Sequence, residues 1–132
     1  MSDARVILVV DDQPYSLRAL AYVLQREGFR VVEARDGEEA LAVARRERPD
    51  LVFLDLGMPK KGGFEVLAEL KAAPELAHCR VVLLTGRGQT SDRERGIALG
   101  CDDYMTKPFS PMKVVERARE VLAKTRVPAA PP

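Results

Sequence analysis

Three apolar runs in this chain are continuous rather than alternating: VILVV at 6–10, LVFL at 51–54 and VVLL at 81–84. A strand with one face in water alternates apolar and polar residues. A strand covered on both faces does not, and continuous runs of this length are the mark of a parallel sheet between two helical layers. Strands are expected at Arg5–Val10, Arg30–Ala34, Asp50–Leu54, Arg80–Thr85 and Asp102–Met105. Amphipathic segments alternate with them, and strict βα alternation calls for right-handed crossovers. The fold class is therefore α/β, a doubly wound five-stranded parallel sheet with helices on both faces.

Each intervening segment carries helix signals. SLRALAYVLQREG places Leu17, Leu20, Ala21 and Leu24 on one stripe and ends at Gly28, a residue type suited to the left-handed turn after a helix. DGEEALAVARRERPD opens on Asp36 with Glu39 three residues later, a spacing like a capping box, and stops before Pro49. GFEVLAELKAAP is expected to turn Phe64, Leu67, Ala68 and Leu70 inward. TSDRERGIALG has few apolar anchors, so it should be the most mobile helix. The last helix starts with Ser110 as N-cap and Pro111 at its first position.

The length of 132 residues fits one domain able to bury a core without metal or disulfide staples. A formal net charge of +1 gives no bulk basic field for nucleic acid. No apolar stretch reaches membrane-span length and MSDARVILVV lacks the parts of a signal peptide, so a cytoplasmic protein is expected. Cys79 and Cys101 sit beside apolar runs and read as free, mostly buried thiols. VPAAPP, 127–132, reads as an extended tail or linker stub after a domain spanning 1–126.

The polar residues that end the apolar runs point to chemistry. VILVV runs into Asp11-Asp12, LVFL into Asp55, VVLL into Thr85, and the fifth strand into Lys107-Pro108. In an open α/β sheet the ligand crevice lies outside the carboxyl ends of the strands. Each residue has an ordinary reading by itself: Asp12 as an N-cap, Thr85 satisfied by a turn, Lys107 a solvated loop lysine. Together they form one site. Three carboxylates in close range take up a proton or a cation. Hard oxygen donors without a placed His or Cys suit Mg²⁺. An aspartate, a lysine and a hydroxyl around Mg²⁺ are suited to phosphoryl transfer, with Asp55 as nucleophile and Lys107 and Thr85 on the phosphoryl oxygens.

Asp11-Asp12, the Asp55-x-x-x-Pro59-x-x-x-Gly63 spacing, Thr85-Gly86 and Lys107-Pro108-Phe109 occur in one order, and from about Arg5 to Lys124 the chain resembles the receiver domain of bacterial two-component response regulators. The resemblance implies the flavodoxin-like strand order 2-1-3-4-5. It implies that Asp55 accepts a phosphoryl group from a histidine kinase and that the domain is a signalling module rather than an enzyme. Mg²⁺ would be held by Asp12, Asp55 and the Gly57 backbone carbonyl, with Asp11 acting through water. The Lys107–Pro108 peptide is expected to be cis, and Thr85 and Tyr104 to form the switch. Gly57 and Arg87 occupy positions that tune phosphate lifetime in this family, and Gly57 has no side chain to orient a water, so slow loss of phosphate is expected. Lys60-Lys61 are expected to be solvated.

Asp103 and Arg117 stand where one ion pair of a family dimer would form, but Arg93 would face Lys113, where the family pattern has an acid. A monomer is expected before phosphorylation, with a dimer afterwards left open. The expected output is a downstream protein or fused output domain, with no direct nucleic-acid contact by this domain and no membrane association. Two rivals use a similar sheet. An aspartate-nucleophile phosphohydrolase would need a second acid at Gly57. A flavodoxin-like cofactor binder would need a Ser/Thr/Gly-rich loop where DDQPYS stands. A purely structural module leaves Asp11, Asp12, Asp55 and Lys107 unexplained.

Overall fold

The computed structural model describes residues 5–58, 61–86, 90–107 and 110–124. Pro59, Lys60, Arg87, the Lys107–Pro108 bond with its expected cis geometry, Phe109 and the 127–132 tail lie outside the described residues. Strands and helices alternate as β1 Val6–Val10, α1 Pro14–Arg26, β2 Arg30–Ala34, α2 Gly37–Glu47, β3 Leu51–Asp55, α3 Gly63–Ala72, β4 Arg80–Thr85, α4 Thr90–Ala98, β5 Asp103–Thr106 and α5 Pro111–Ala123. One parallel sheet has the order β2-β1-β3-β4-β5, as the resemblance implies.

The continuous apolar runs are continuous because both of their faces are covered. Ile7, Val9, Leu51, Phe53, Val82 and Leu84 turn to one side, where α1 and α5 pack. Leu8, Val10, Val52, Leu54, Val81 and Leu83 turn to the other, against α2 and α3. Three strands differ from expectation by one residue: β1 begins at Val6 rather than Arg5, and β3 and β5 each begin and end one residue later. Asp50 lies before β3, its carboxylate accepting from the Val6 amide at 2.8 Å, and Asp55 lies inside β3, in register with Leu84. Asp102 plays the same part before β5, accepting from the Val81 amide at 2.7 Å, so the ladder begins at Asp103.

The helix start and stop signals hold at α1, α2 and α5, and the inward face of α3 is corrected. Leu17, Leu20, Ala21 and Leu24 are the buried stripe of α1. It closes in a Schellman turn: Phe29 N–H donates to Leu24 O at 3.3 Å and Gly28 N–H to Gln25 O at 3.0 Å, with Gly28 at φ 95°. Asp36 accepts from Glu39 N–H at 2.9 Å, while Glu39 reaches back to the Arg35 amide, one residue beyond the cap itself. Asp36→Ala is expected to lower stability by about 1 kcal/mol, read as a shift in urea midpoint with unchanged slope. Ser110 caps α5 by accepting from Lys113 N–H at 3.3 Å.

In α3 the buried stripe is Gly63, Val66, Leu67 and Leu70; Ala68 is exposed and Phe64 half-buried. The helix starts on Gly63, and the inward face steps from that residue by three and four. Cys79 is buried, its thiol donating to Pro49 O at 2.8 Å, and Cys101 is half-buried; neither forms a disulfide among the described residues. Lys61 is not a solvated loop residue: it pairs with Glu69 of α3. Among the described residues no helix is long and apolar enough to cross a membrane.

Candidate functional site

The carboxyl ends of β1, β3, β4 and β5 meet. Asp11 follows β1 and is fully buried; Asp55 ends β3 at 6% exposure, and Thr85 ends β4, also buried. Carboxylate oxygens of Asp11, Asp12 and Asp55 lie within 4.8 Å of one another. Lys107, just past β5, places its ammonium 3.4 Å from Asp11 Oδ2 and 3.4 Å from Asp55 Oδ2. The lysine is brought there by backbone, because its N–H donates to Thr85 O at 2.7 Å and carries the β4–β5 ladder one step further.

Each acid is held from its own turn. Asp11 Oδ1 accepts from the Gln13 amide at 2.9 Å, and Asp55 Oδ1 from the Gly57 amide at 3.0 Å. The N-cap of α1 is Gln13 and has no side-chain cap bond, so the ordinary reading of Asp12 as a helix cap does not hold. The turn amide is taken by Asp11 instead. Asp12 is left half-buried at the rim of the acidic group.

Burial pushes the Asp11 carboxyl above the usual carboxylate range, reinforced by the nearby Asp55 charge and opposed by the Gln13 amide and Lys107. One ammonium does not balance three carboxylates, and two of them are out of water. That donor set, all hard oxygen, fits a divalent cation such as Mg²⁺.

Two glycines beside the site, Gly57 and Gly86, have room around them among the described residues. A side chain at Gly57 would meet nothing closer than Asp55 Oδ1 at 3.7 Å, and one at Gly86 nothing within 4 Å. Gly63 is the opposite case. A Cβ there would lie 2.8 Å from the Asp55 carbonyl oxygen and 2.9 Å from Leu56 Cα. Its glycine lets α3 rest directly on the backbone that carries Asp55. Spacing marks Gly63 in the sequence, but this close approach is not readable there. Tyr104 lies opposite Leu83 in the β4–β5 register, half-buried against the core on the α2–α3 face. Leu83 and Thr85 are two apart on β4, so Thr85 and Tyr104 share that side of the sheet.

Known proteins bear on this arrangement. The model of the response regulator receiver domain matches residues 7–119. The alkaline phosphatase synthesis transcriptional regulatory protein PhoP of Bacillus subtilis is 42% identical over 123 residues, 93% of this chain and 50% of that protein. The phosphate regulon transcriptional regulatory protein PhoB of Escherichia coli is 40% identical over 121 residues, 92% of this chain and 53% of that protein. The chain thus spans about half the length of these relatives. Among solved structures, a putative response regulator from Chloroflexus aurantiacus superposes with a TM-score of 0.86 at 30% identity, covering 92% of this chain and all of that one. The chemotaxis response regulator CheY4 of Vibrio cholerae gives 0.85 at 28% identity, covering 90% and 99%. With the sheet order, the strand-end acids and these matches together, the chain belongs to the response regulator receiver domain family.

Proposed function

We propose that Asp55 is the phosphoacceptor of a two-component signalling system, with Lys107, Thr85 and the Asp11–Asp12 pair as its supporting groups. The observation that carries this reading is the convergence on Asp55 of Lys107 and two further acids from distant parts of the chain. Asp12, Asp55 and the Gly57 carbonyl would hold Mg²⁺, with Asp11 acting through water. The ion would supply positive charge to the phosphoryl oxygens and offset repulsion among the carboxylates. An Asp55 carboxylate oxygen attacks phosphorus, the P–N bond of a kinase phosphohistidine breaks, and its electron pair stays on the imidazole. Lys107 neutralises a phosphoryl oxygen and the Thr85 hydroxyl donates to another.

Thr85 and Tyr104 then act as the switch, altering the face formed by α4, β5 and α5 that a downstream protein or fused output domain reads. The domain itself makes no direct nucleic-acid contact. Arg117 Nη1 donates to Asp103 Oδ2 at 2.7 Å within the chain, so both groups are satisfied without a second copy. That supports a monomer before phosphorylation. An apolar cavity of about 290 Å³ between α1 and α5 reaches Lys107, past Leu20, Val23 and Val114. It offers a partner that delivers the phosphoryl group a place beside the site.

Intact mass after incubation with Mg²⁺ and acetyl phosphate tests the reading. The wild type is expected to gain one hydroxylamine-labile phosphoryl group that persists for minutes rather than seconds, and Asp55→Ala to gain none. Equal gain by the variant would move the acceptor elsewhere. No gain by either, also after exposure to phosphorylated histidine kinases, would remove the phosphoacceptor role.

A further inference from the structure

Gly37 opens α2 and is buried. A Cβ at that position would overlap the Lys61 carbonyl oxygen and would lie 2.6 Å from Lys61 Cβ and 2.9 Å from Lys61 C. Lys61 belongs to the segment between β3 and α3, so the first turn of α2 rests directly on the backbone of that segment. Gly37 has helical backbone, and a glycine there makes a poorer helix than alanine by up to about 1 kcal/mol. Its use at this place is the close approach that a missing Cβ allows.

Both sides of the contact are held. Asp36 accepts from Glu39 N–H at 2.9 Å and Glu39 accepts from the Arg35 amide at 2.6 Å, so the start of α2 is tied on either side of Gly37. Lys61 is tied to α3 through its ion pair with Glu69. Two residues further on, Gly63 presses on the Asp55 carbonyl oxygen and on Leu56 Cα. The stretch Lys61-Gly62-Gly63 therefore lies between two backbone contacts, Gly37 at one end and the end of β3 at the other.

The other end of the segment is anchored to the sheet. Leu56 N–H donates to Leu84 O at 2.9 Å, and Met58 is buried in the core under α2 and α3. Gly57 stands between them. Its amide donates to Asp55 Oδ1 at 3.0 Å, and its carbonyl is the backbone group assigned above to Mg²⁺. The segment from Gly57 to Lys61 thus has two fixed ends, and Gly37 sets one of them.

We propose that Gly37 is a positioning residue for the acidic site. It acts through Lys61 rather than on the acids themselves. By admitting the Lys61 backbone against α2, it sets how the Gly57 amide and carbonyl face Asp55. The consequence for Mg²⁺ rests on the phosphoacceptor reading; the consequence for the Gly57 amide does not.

Nuclear magnetic resonance of the whole chain without metal, followed by calorimetric titration with Mg²⁺, tests both parts. Gly37→Ala is expected to move the Gly57 and Lys61 amide resonances while that of Gly86 stays, and to weaken Mg²⁺ binding about tenfold. Val43→Ala is the control for lost stability. Val43 is buried further along α2, and its truncation hollows the core without placing an atom against Lys61. It should lower the urea midpoint and leave the Gly57 amide and the Mg²⁺ affinity unchanged.

The same substitution in a Lys61→Gly chain decides the matter where the single variant does not fold. There the overlap with Lys61 Cβ is gone and the peptide turns more freely, while the new methyl still meets the carbonyl. The Gly57 amide should again move, and Mg²⁺ binding weaken about tenfold, relative to Lys61→Gly alone. A Gly57 amide that stays in place, or that moves as far in Val43→Ala, would overturn the proposal. A displaced amide with unchanged Mg²⁺ affinity would refute the role at the site. No Mg²⁺ binding by the wild type would count against the metal in the phosphoacceptor reading, and the Gly57 amide, read without metal, would still decide the positioning.

Discussion

Asp11→Asn is expected to make the metal-free protein more stable by about 1 kcal/mol at neutral pH while weakening Mg²⁺ binding by about 10- to 100-fold. Two effects compete at this residue. Removing the charge loses a 3.4 Å ion pair with Lys107. It also removes a fully buried carboxylate that faces Asp55. The direction of the Asp11 shift decides between them, since burial and the Asp55 charge outweigh the Gln13 amide and Lys107. A raised carboxyl pKa means that the native state binds the proton more tightly than the unfolded chain does. Below the ordinary carboxylate value both states are protonated and the charge costs nothing. As pH climbs from there through the raised native value, stability is lost, and above it the loss is constant. Asn carries no charge at any pH, can still accept from the Gln13 amide, and leaves Lys107 its partner Asp55. The gain of Asp11→Asn over wild type should therefore grow in urea melts as pH rises above the ordinary carboxylate range, and saturating Mg²⁺ should reverse the ranking. A variant less stable than wild type at pH 7 without metal would show that the ion pair outweighs the burial.

The same physics explains what could be read from residues alone. The sheet was legible because VILVV, LVFL and VVLL have no polar gaps, and burial on both faces leaves no position for one. The site was legible because burying a carboxylate is costly, so an aspartate at the end of such a run needs a reason. What was hidden depends on three-dimensional neighbours. α3 has apolar residues nearly all round, with Phe64, Val66, Leu67, Ala68 and Leu70 in seven positions, so the pattern did not choose between Val66 and Ala68. Lys61 finds Glu69 only because the helix folds back beside its loop. Asp12 had a good local reading as a cap, and it failed because Asp11 takes the turn amide. Arg95 on a polar helix carries no sign of the Phe64 ring it covers.

Gly63→Ala is expected to lower stability by about 2 kcal/mol, and Gly63→Val by about 3 kcal/mol, with phosphoryl uptake from acetyl phosphate falling in step. The added Cβ would stand 2.8 Å from the Asp55 carbonyl oxygen, 2.9 Å from Leu56 Cα and 2.9 Å from Leu56 Cδ2. Two of these are backbone atoms, so no side-chain rotation relieves the overlap. Either α3 retreats or the end of β3 moves. Retreat strips Val66, Leu67 and Leu70 of contacts in a close-packed core. Movement of β3 shifts Asp55 away from Lys107, which is only 3.4 Å from its carboxylate. Alanine is a better helix former than glycine, but that gain is at most about 1 kcal/mol and smaller than the overlap it would have to offset. Two nearby glycines supply the contrast. Gly57→Ala would place its Cβ 3.7 Å from Asp55 Oδ1, and Gly86→Ala would meet nothing within 4 Å, so both should melt within about 0.5 kcal/mol of wild type. If Gly63→Ala melted with them, α3 would not be resting on the Asp55 backbone.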